Sequence, residues 1–85
     1  MQILFHPSFN KSYHKLSKKL RDKVEERIML FRRDKFNQLL NNHGLSGKYK
    51  DCRSINITGD YRAIYKEKDG VVVFILVDTH SNLYK

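Results

Sequence analysis

The chain has 85 residues, 40% of them hydrophobic and 31% charged, and its 17 Lys/Arg against 9 Asp/Glu give a formal net charge of +8. That length leaves room for one domain only, spanning residues 1–85, and so short a chain buries only about 60–65% of the surface it exposes when unfolded, so the five Phe and five Tyr must carry much of the core. Cys52 is alone, which excludes an internal disulfide and favours a reducing compartment, and no stretch approaches the roughly 20 apolar residues of a membrane span; the expectation is a soluble cytoplasmic protein.

Gln2-Ile-Leu-Phe5 is short and apolar, and Pro7 fixes φ and cannot continue a ladder, so a brief first strand ends near His6. From Ser8, a candidate N-cap, the period changes: Phe9, Tyr13, Leu16 and Leu20 recur as one helix stripe with Lys11, Lys15, Lys18 and Lys19 on the other faces. A break at Ser17 to Lys19 separates this from a second stripe, Leu20, Val24, Ile28 and Phe31, which runs to about Asp34. The pair reads as a helical hairpin offering two apolar stripes to a flat partner. Phe36 to Asn42 loses its period, and Asn41-Asn-His-Gly44 is turn chemistry.

After Gly47 the period becomes two. Ile55 and Ile57 alternate with polar neighbours, Gly59-Asp60 punctuates, and Tyr61, Ala63 and Tyr65 then share one face while Arg62, Ile64 and Lys66 share the other. Lys68-Asp-Gly70 supplies the positive φ values of a tight hairpin, and the apolar run Val71 to Val77 reads as a central strand buried on both faces. Asp78-Thr-His-Ser-Asn-Leu-Tyr84 continues that strand. The expected order is βααβββ, an α+β fold with the helical hairpin packed on a small, mainly antiparallel sheet.

The positive charge is uneven: residues 1 to 50 hold twelve Lys/Arg against four Asp/Glu, and residues 51 to 85 hold five of each. Such a footprint suits a polyanion, because each phosphate neutralised by Lys or Arg releases condensed counterions. It equally suits a solvated helix face or an acidic protein partner.

Chemistry has few places to reside. His6, His14, His43 and His80 have no metal-ligand spacing, the carboxylates are unclustered and the four Gly match no nucleotide loop, so neither a metal nor another cofactor is expected. Cys52, at the head of a strand, suits a small buried hydrophobe. What is left is an acid/base set: His80 just past the central strand, His43 in the loop before the second strand, and Asp60 in the turn between two strands. Arg53 and Arg62 on adjoining antiparallel strands are candidates for a fork on phosphate, with Lys48, Lys50 and Asn56 as further phosphate or RNA contacts. Tyr61 and Tyr84 offer planes for base stacking, Tyr84 also a hydroxyl. Each has a plainer reading, as loop histidines, solvated sheet charges or sheet-covering aromatics.

These segments resemble the RelE/ParE superfamily of type II toxins, in particular the RelE-like mRNA interferases and their YafQ branch. The resemblance spans the whole chain and is carried by the element order, by Leu45-Ser-Gly47 with Lys50-Asp-Cys-Arg53, by Gly59-Asp-Tyr-Arg-Ala-Ile-Tyr65 and by Thr79-His-Ser-Asn-Leu-Tyr84. It implies a toxin that cleaves mRNA in the ribosomal A site without a metal and is neutralised by a cognate antitoxin that wraps it. His43 matches the histidine before the Leu-x-Gly, Asp60 the acidic residue at the strand turn, Arg62 the strand arginine, His80 the terminal histidine and Tyr84 the terminal aromatic. Where YafQ-like chains carry a second strand histidine, and RelE-like chains a lysine, this chain has Asn56. Where YafQ-like chains place an arginine four residues before the terminal histidine it has Leu76, and Arg53 is the candidate replacement for that charge. Two other classes stay open: a non-cleaving, ParE-like inhibitor of DNA gyrase, and a basic RNA-binding module.

Overall fold

The computed structural model describes residues 1–85. Strand β1 (Gln2–Phe5) leads into helix α1 (Pro7–His14) with one residue between them. His6, not Ser8, is the N-cap: its ring nitrogen accepts the Ser8 N–H at 3.0 Å, and Pro7 takes the first helical position, where a missing N–H costs nothing. Ser8 is thereby freed to donate its hydroxyl to the Ile75 carbonyl. Helix α2 (Lys18–Arg33) begins where the stripes change phase, with Ser17 accepting the Leu20 N–H at 3.3 Å, and stops at Asp34.

The segment expected to be irregular is more ordered than its sequence suggests. A single 3₁₀ turn, Gln38–Leu40, buries Leu40 completely, and Asn41 then turns left-handed at φ 45°. The next residues form a two-residue strand β2 (His43–Gly44), a fifth strand where the sequence reads as turn. A second 3₁₀ turn, Gly47–Tyr49, precedes β3 (Arg53–Asn56), β4 (Tyr61–Lys68) and β5 (Val71–Thr79). Asp69 and Gly70 take φ values of 52° and 79°, the primed turn that the Asp-Gly pair favours. The end of the chain departs from expectation: the strand stops at Thr79, and His80–Leu83 makes one helical turn, α3.

The sheet order is β1-β5-β4-β3-β2, with β1 parallel to β5 and the remaining pairs antiparallel. α1 and α2 cover one face. Against them lie Val72, Phe74 and Val77 of β5, Ala63 and Tyr65 of β4, and Ile55 and Ile57, joined with Phe9, Val24, Phe31 and Leu40 in one core. Phe31, Tyr65 and Phe74 form its centre, with ring centroids 4.9 to 5.5 Å apart.

One irregularity sets what the far face presents. From Val71 to Phe74 the β4–β5 register runs without a break, Tyr65 pairs with Phe74 and Ile64 pairs with Leu76, so Ile75 is an extra residue in β5. This bulge puts Ile75 and Leu76 together on the far face and inverts the alternation beyond them. β5 is therefore not buried on both faces throughout: the helix side is sealed, while Val73, Ile75 and Leu76 are half-buried. Ser8 and Ser12 hold the bulge from α1, the first on the Ile75 carbonyl and the second accepting the Val77 N–H at 3.1 Å.

Phe31 touches both other central rings and has no solvent exposure. Phe31→Ala should lower the unfolding free energy by about 3–5 kcal/mol, a large share of the roughly 5–15 kcal/mol usual for a domain. Urea denaturation followed by far-UV circular dichroism measures the loss.

Candidate active site

The far face of the sheet is ordered in two cross-strand rows. His43, Ser54, Ile64 and Leu76 form one, and Asn56, Arg62 and Asp78 the next. A small apolar patch of Cys52, Ile64 and Leu83, with Leu45, Tyr49, Ile75 and Leu76 around it, fixes the loop before β3 and the C-terminal turn on this face. Cys52 is the buried hydrophobe its position suggested.

The C-terminal turn is built to place two side chains. Thr79 caps it by accepting the Asn82 N–H at 3.2 Å, and the Asp78 carboxylate accepts from the Thr79 N–H at 2.7 Å and from the Asn82 amide at 3.1 Å. The His80 N–H donates to the Asp60 carbonyl at 2.8 Å, which ties the turn to the β3–β4 connection. Leu83 is buried, so His80 and Tyr84, on either side of it, stay exposed, with ring centroids 4.7 Å apart. Tyr49 meets Tyr84 edge-on at 6.4 Å, and the Lys48 ammonium sits 5.5 Å from the Tyr49 ring. His80, Asp60, Tyr84 and Lys48 thus belong to one neighbourhood, and Lys50 is exposed at the end of the same 3₁₀ turn.

Arg62 occupies the middle of the second row. Its Nη1 donates to the carbonyls of Thr58, Gly59 and Tyr61 at 3.0 to 3.2 Å, which leaves Nε and Nη2 without protein partners. On its β3 side the Asn56 Oδ1 is buried and accepts no hydrogen bond, and in the first row the Ser54 hydroxyl is in the same state. His43 stands on the edge strand, three inter-strand steps from β5, about 14 Å between backbones at the usual spacing. It is exposed, and its Nδ1 lies 2.8 Å from the Asn41 carbonyl.

Two expected members are not on this face. Arg53 and Arg62 do lie on adjoining antiparallel strands, but Arg53 pairs with Tyr65 and Arg62 with Asn56, so they point to opposite sides and form no fork. Arg53 donates Nε to the Asn42 side chain at 2.9 Å and Nη2 to the Asn42 carbonyl at 3.3 Å, with its guanidinium 5.6 Å from the Phe36 ring. It therefore supplies no charge near Leu76. Tyr61 packs against the helix-side core and offers no plane to the far face. What the sequence reading missed is Asn42, whose amide donates to the Lys35 carbonyl at 2.9 Å and to the Tyr65 hydroxyl at 2.8 Å while its oxygen takes the Arg53 bond. No run of local residues could have signalled it, since Tyr65 is 23 positions away.

No three His, Cys, Asp or Glu side chains are gathered anywhere in the fold. The far face instead combines an arginine with uncommitted donors, an exposed His–Tyr pair and a second exposed histidine.

A helical pair on one face of such a sheet, with these groups on the other, defines a RelE-like toxin fold. The chain belongs to the YafQ family of bacterial toxins of type II toxin–antitoxin systems, whose family model matches residues 1–85. Among solved structures, the YafQ toxin of E. coli strain BL21(DE3) is 20% identical, with a TM-score of 0.84 over 99% of this chain and 98% of that one. A YoeB/ParE toxin from Agrobacterium tumefaciens is also 20% identical, with a TM-score of 0.75 over 94% of this chain and 99% of that one. The E. coli DinJ–YafQ toxin–antitoxin complex is 22% identical, with a TM-score of 0.80 over 99% of this chain and 97% of that chain. No curated protein matches by sequence.

Asn42→Ala should destabilise the fold by about 1–3 kcal/mol, since it strands the buried Tyr65 hydroxyl and releases Arg53. In a double-mutant cycle Tyr65→Phe should cost less in the Asn42→Ala background than alone, because the hydroxyl has already lost its partner; equal costs in both backgrounds would show that the two side chains are not coupled.

Proposed function

We propose that this toxin is a ribosome-dependent mRNA endonuclease working by general acid/base catalysis without a metal. The observation that carries this reading is the capped C-terminal turn, which holds His80 and Tyr84 over the same sheet face as Arg62. Cleavage requires the ribose 2′-hydroxyl to lose its proton, the O2′–P bond to form, the P–O5′ bond to break and the leaving O5′ to gain a proton. His80, His43 and Asp60 are the acid/base candidates. The free Nε and Nη2 of Arg62 face the charge that builds on phosphorus, where preorganised donors act most strongly. Tyr84 stacks on or hydrogen-bonds the nucleotide, with Lys48, Lys50 and Asn56 along the RNA path.

Purified ribosomes programmed with a defined message should yield cleaved mRNA with this toxin, and His80→Ala should slow the cut by about 10²–10⁴-fold, the range for one general acid or base. A message left intact by the unmutated toxin overturns the proposal. One feature favours a second reading: Leu76, where the family resemblance implies arginine, packs half-buried against the apolar patch of Cys52, Ile64 and Leu83. Intact message together with blocked gyrase supercoiling would make this a ParE-like inhibitor that does not cut.

The partner of such a toxin is a cognate antitoxin, as DinJ is of YafQ in the E. coli complex. Its seat in this proposal is the groove between α1 and α2, lined by Phe5, Phe9, Tyr13, Val24, Ile28 and Met29 beside the unpaired edge of β1. Burial in this groove, and Glu25 beside it, push the Tyr13 hydroxyl above its usual pKa of 10.0. The groove is apolar at its floor and belongs to the half of the chain that holds the excess positive charge. An acidic amphipathic segment complements both properties. Met29 is 65% exposed, so Met29→Glu leaves the core intact. It should weaken antitoxin binding at least tenfold, about 1.4 kcal/mol, by isothermal titration calorimetry, with mRNA cleavage retained.

A further inference from the structure

The bond between His43 and Asn41 decides what His43 can do. The acceptor in this 2.8 Å contact is a backbone carbonyl, which has no proton to give, so the proton must lie on Nδ1 of the imidazole. A neutral ring protonated at Nδ1 carries its lone pair on Nε2. His80 has no such constraint: its ring makes no hydrogen bond to the protein and only meets Tyr84.

We infer that the segment Asn41–His43 is a device that locks neutral His43 as the Nδ1–H tautomer and so presents a bare Nε2, a proton acceptor, on the far face. Asn41 contributes the carbonyl, which its left-handed backbone, φ 45°, turns back toward the ring two residues on. Asn42 holds the segment still: Lys35 from one side, the fully buried Tyr65 from beneath and Arg53 from β3 use both ends of its amide. Arg53 also grips the Asn42 carbonyl, so its guanidinium fork spans the side chain and backbone of one residue. Leu40, buried completely, anchors the approach. Asn41, Asn42 and Arg53 are positioning residues, each acting through His43.

This rests on the endonuclease reading for its chemical consequence and stands without it as a statement about the ring. Within that reading His43 takes the proton from the ribose 2′-hydroxyl as O2′ bonds to phosphorus, and the proton delivered to O5′ as P–O5′ breaks comes from the other histidine, His80. The hydrogen bond that fixes one ring nitrogen thus assigns the role of the other.

Long-range ¹H–¹⁵N correlation spectra of histidine-labelled protein, at a pH well above imidazole titration, read the tautomer directly; His43→Gln and His80→Gln assign the two signals. His43 is expected to show an amine-type Nδ1 and a pyridine-type Nε2, and His80 the opposite, solution-like pattern with Nε2 protonated. A His43 signal of the solution-like kind overturns the inference whatever the cleavage assay gives. Absent cleavage with the Nδ1–H pattern intact sinks the endonuclease reading alone.

Three substitutions test the positioning residues. Asn41→Gly keeps the left-handed conformation and the carbonyl, and should leave the tautomer unchanged. Asn41→Val disfavours positive φ and should release His43 to the solution-like pattern. Arg53→Lys keeps the charge and loses the fork, and should shift the His43 pattern the same way; a side chain acting only as a phosphate ligand would leave it alone. If Asn41→Val does not fold, Asn41→Gly and Arg53→Lys decide: a His43 pattern unmoved by Arg53→Lys overturns the role given to Arg53, and one lost in Asn41→Gly overturns the role given to the Asn41 carbonyl.

Discussion

Tyr65 is the point at which the core and the candidate site become one structure. Its ring is wedged between Phe31 and Phe74 at 4.9 and 5.5 Å, and no part of it meets water. A buried phenol must find a hydrogen-bond partner, and this one finds Asn42. The demand for that partner fixes the segment between α2 and β3, because Asn42 in turn binds Lys35 and Arg53. The edge strand with His43 follows one residue later. Packing of the hydrophobic core therefore reaches the candidate site through one hydroxyl.

The sheet divides the work of the molecule. One face receives α1 and α2, which carry eight of the 17 Lys/Arg and the apolar groove beside β1. The other face carries Arg62, His80, Tyr84 and His43, and has only a small apolar patch to hold its loops in place. Separation of the two means that an antitoxin seated in the groove leaves the far face open unless part of it extends around the sheet edge. The basic helices, which the composition alone offered as an RNA footprint, lie across the sheet from His43 and His80.

The helices were legible because burial follows the period: of the stripe residues, Phe9, Val24 and Phe31 are sealed against the sheet, and Tyr13, Leu16, Leu20 and Ile28 are half-buried. The Asp69-Gly70 turn and the shared face of Tyr61, Ala63 and Tyr65 were legible for equally local reasons. The strand β2 was not, since two residues have no period and His43-Gly44 has the composition of a turn. The opposite faces of Arg53 and Arg62 were legible, and at odds with the expected fork: Arg53 is in phase with Ile55 and Ile57, the apolar side of β3, whereas Arg62 is out of phase with Tyr61, Ala63 and Tyr65. The terminal turn escaped because Thr79 reads as the next residue of a β-rich run until its hydroxyl is seen capping Asn82.

The bulge at Ile75 has a consequence for how this sheet can change over time. It acts as a phase inverter: upstream of it, even-numbered side chains of β5 face the helices, and downstream the odd-numbered ones do. Regular pleating of the same nine residues, with Ile75 drawn into the ladder, would exchange the two sets, sending Asp78 toward the helices and Val77 toward water, while leaving every residue type in place. The pattern of the sheet surface is thus kept by holding one extra residue out of the ladder, which two serines of α1 do. Deletion of Ile75 would leave Leu76 opposite Ile64 and Val77 opposite Ala63 with both faces unchanged, so the pattern depends on where the extra residue is parked and not on the length of β5.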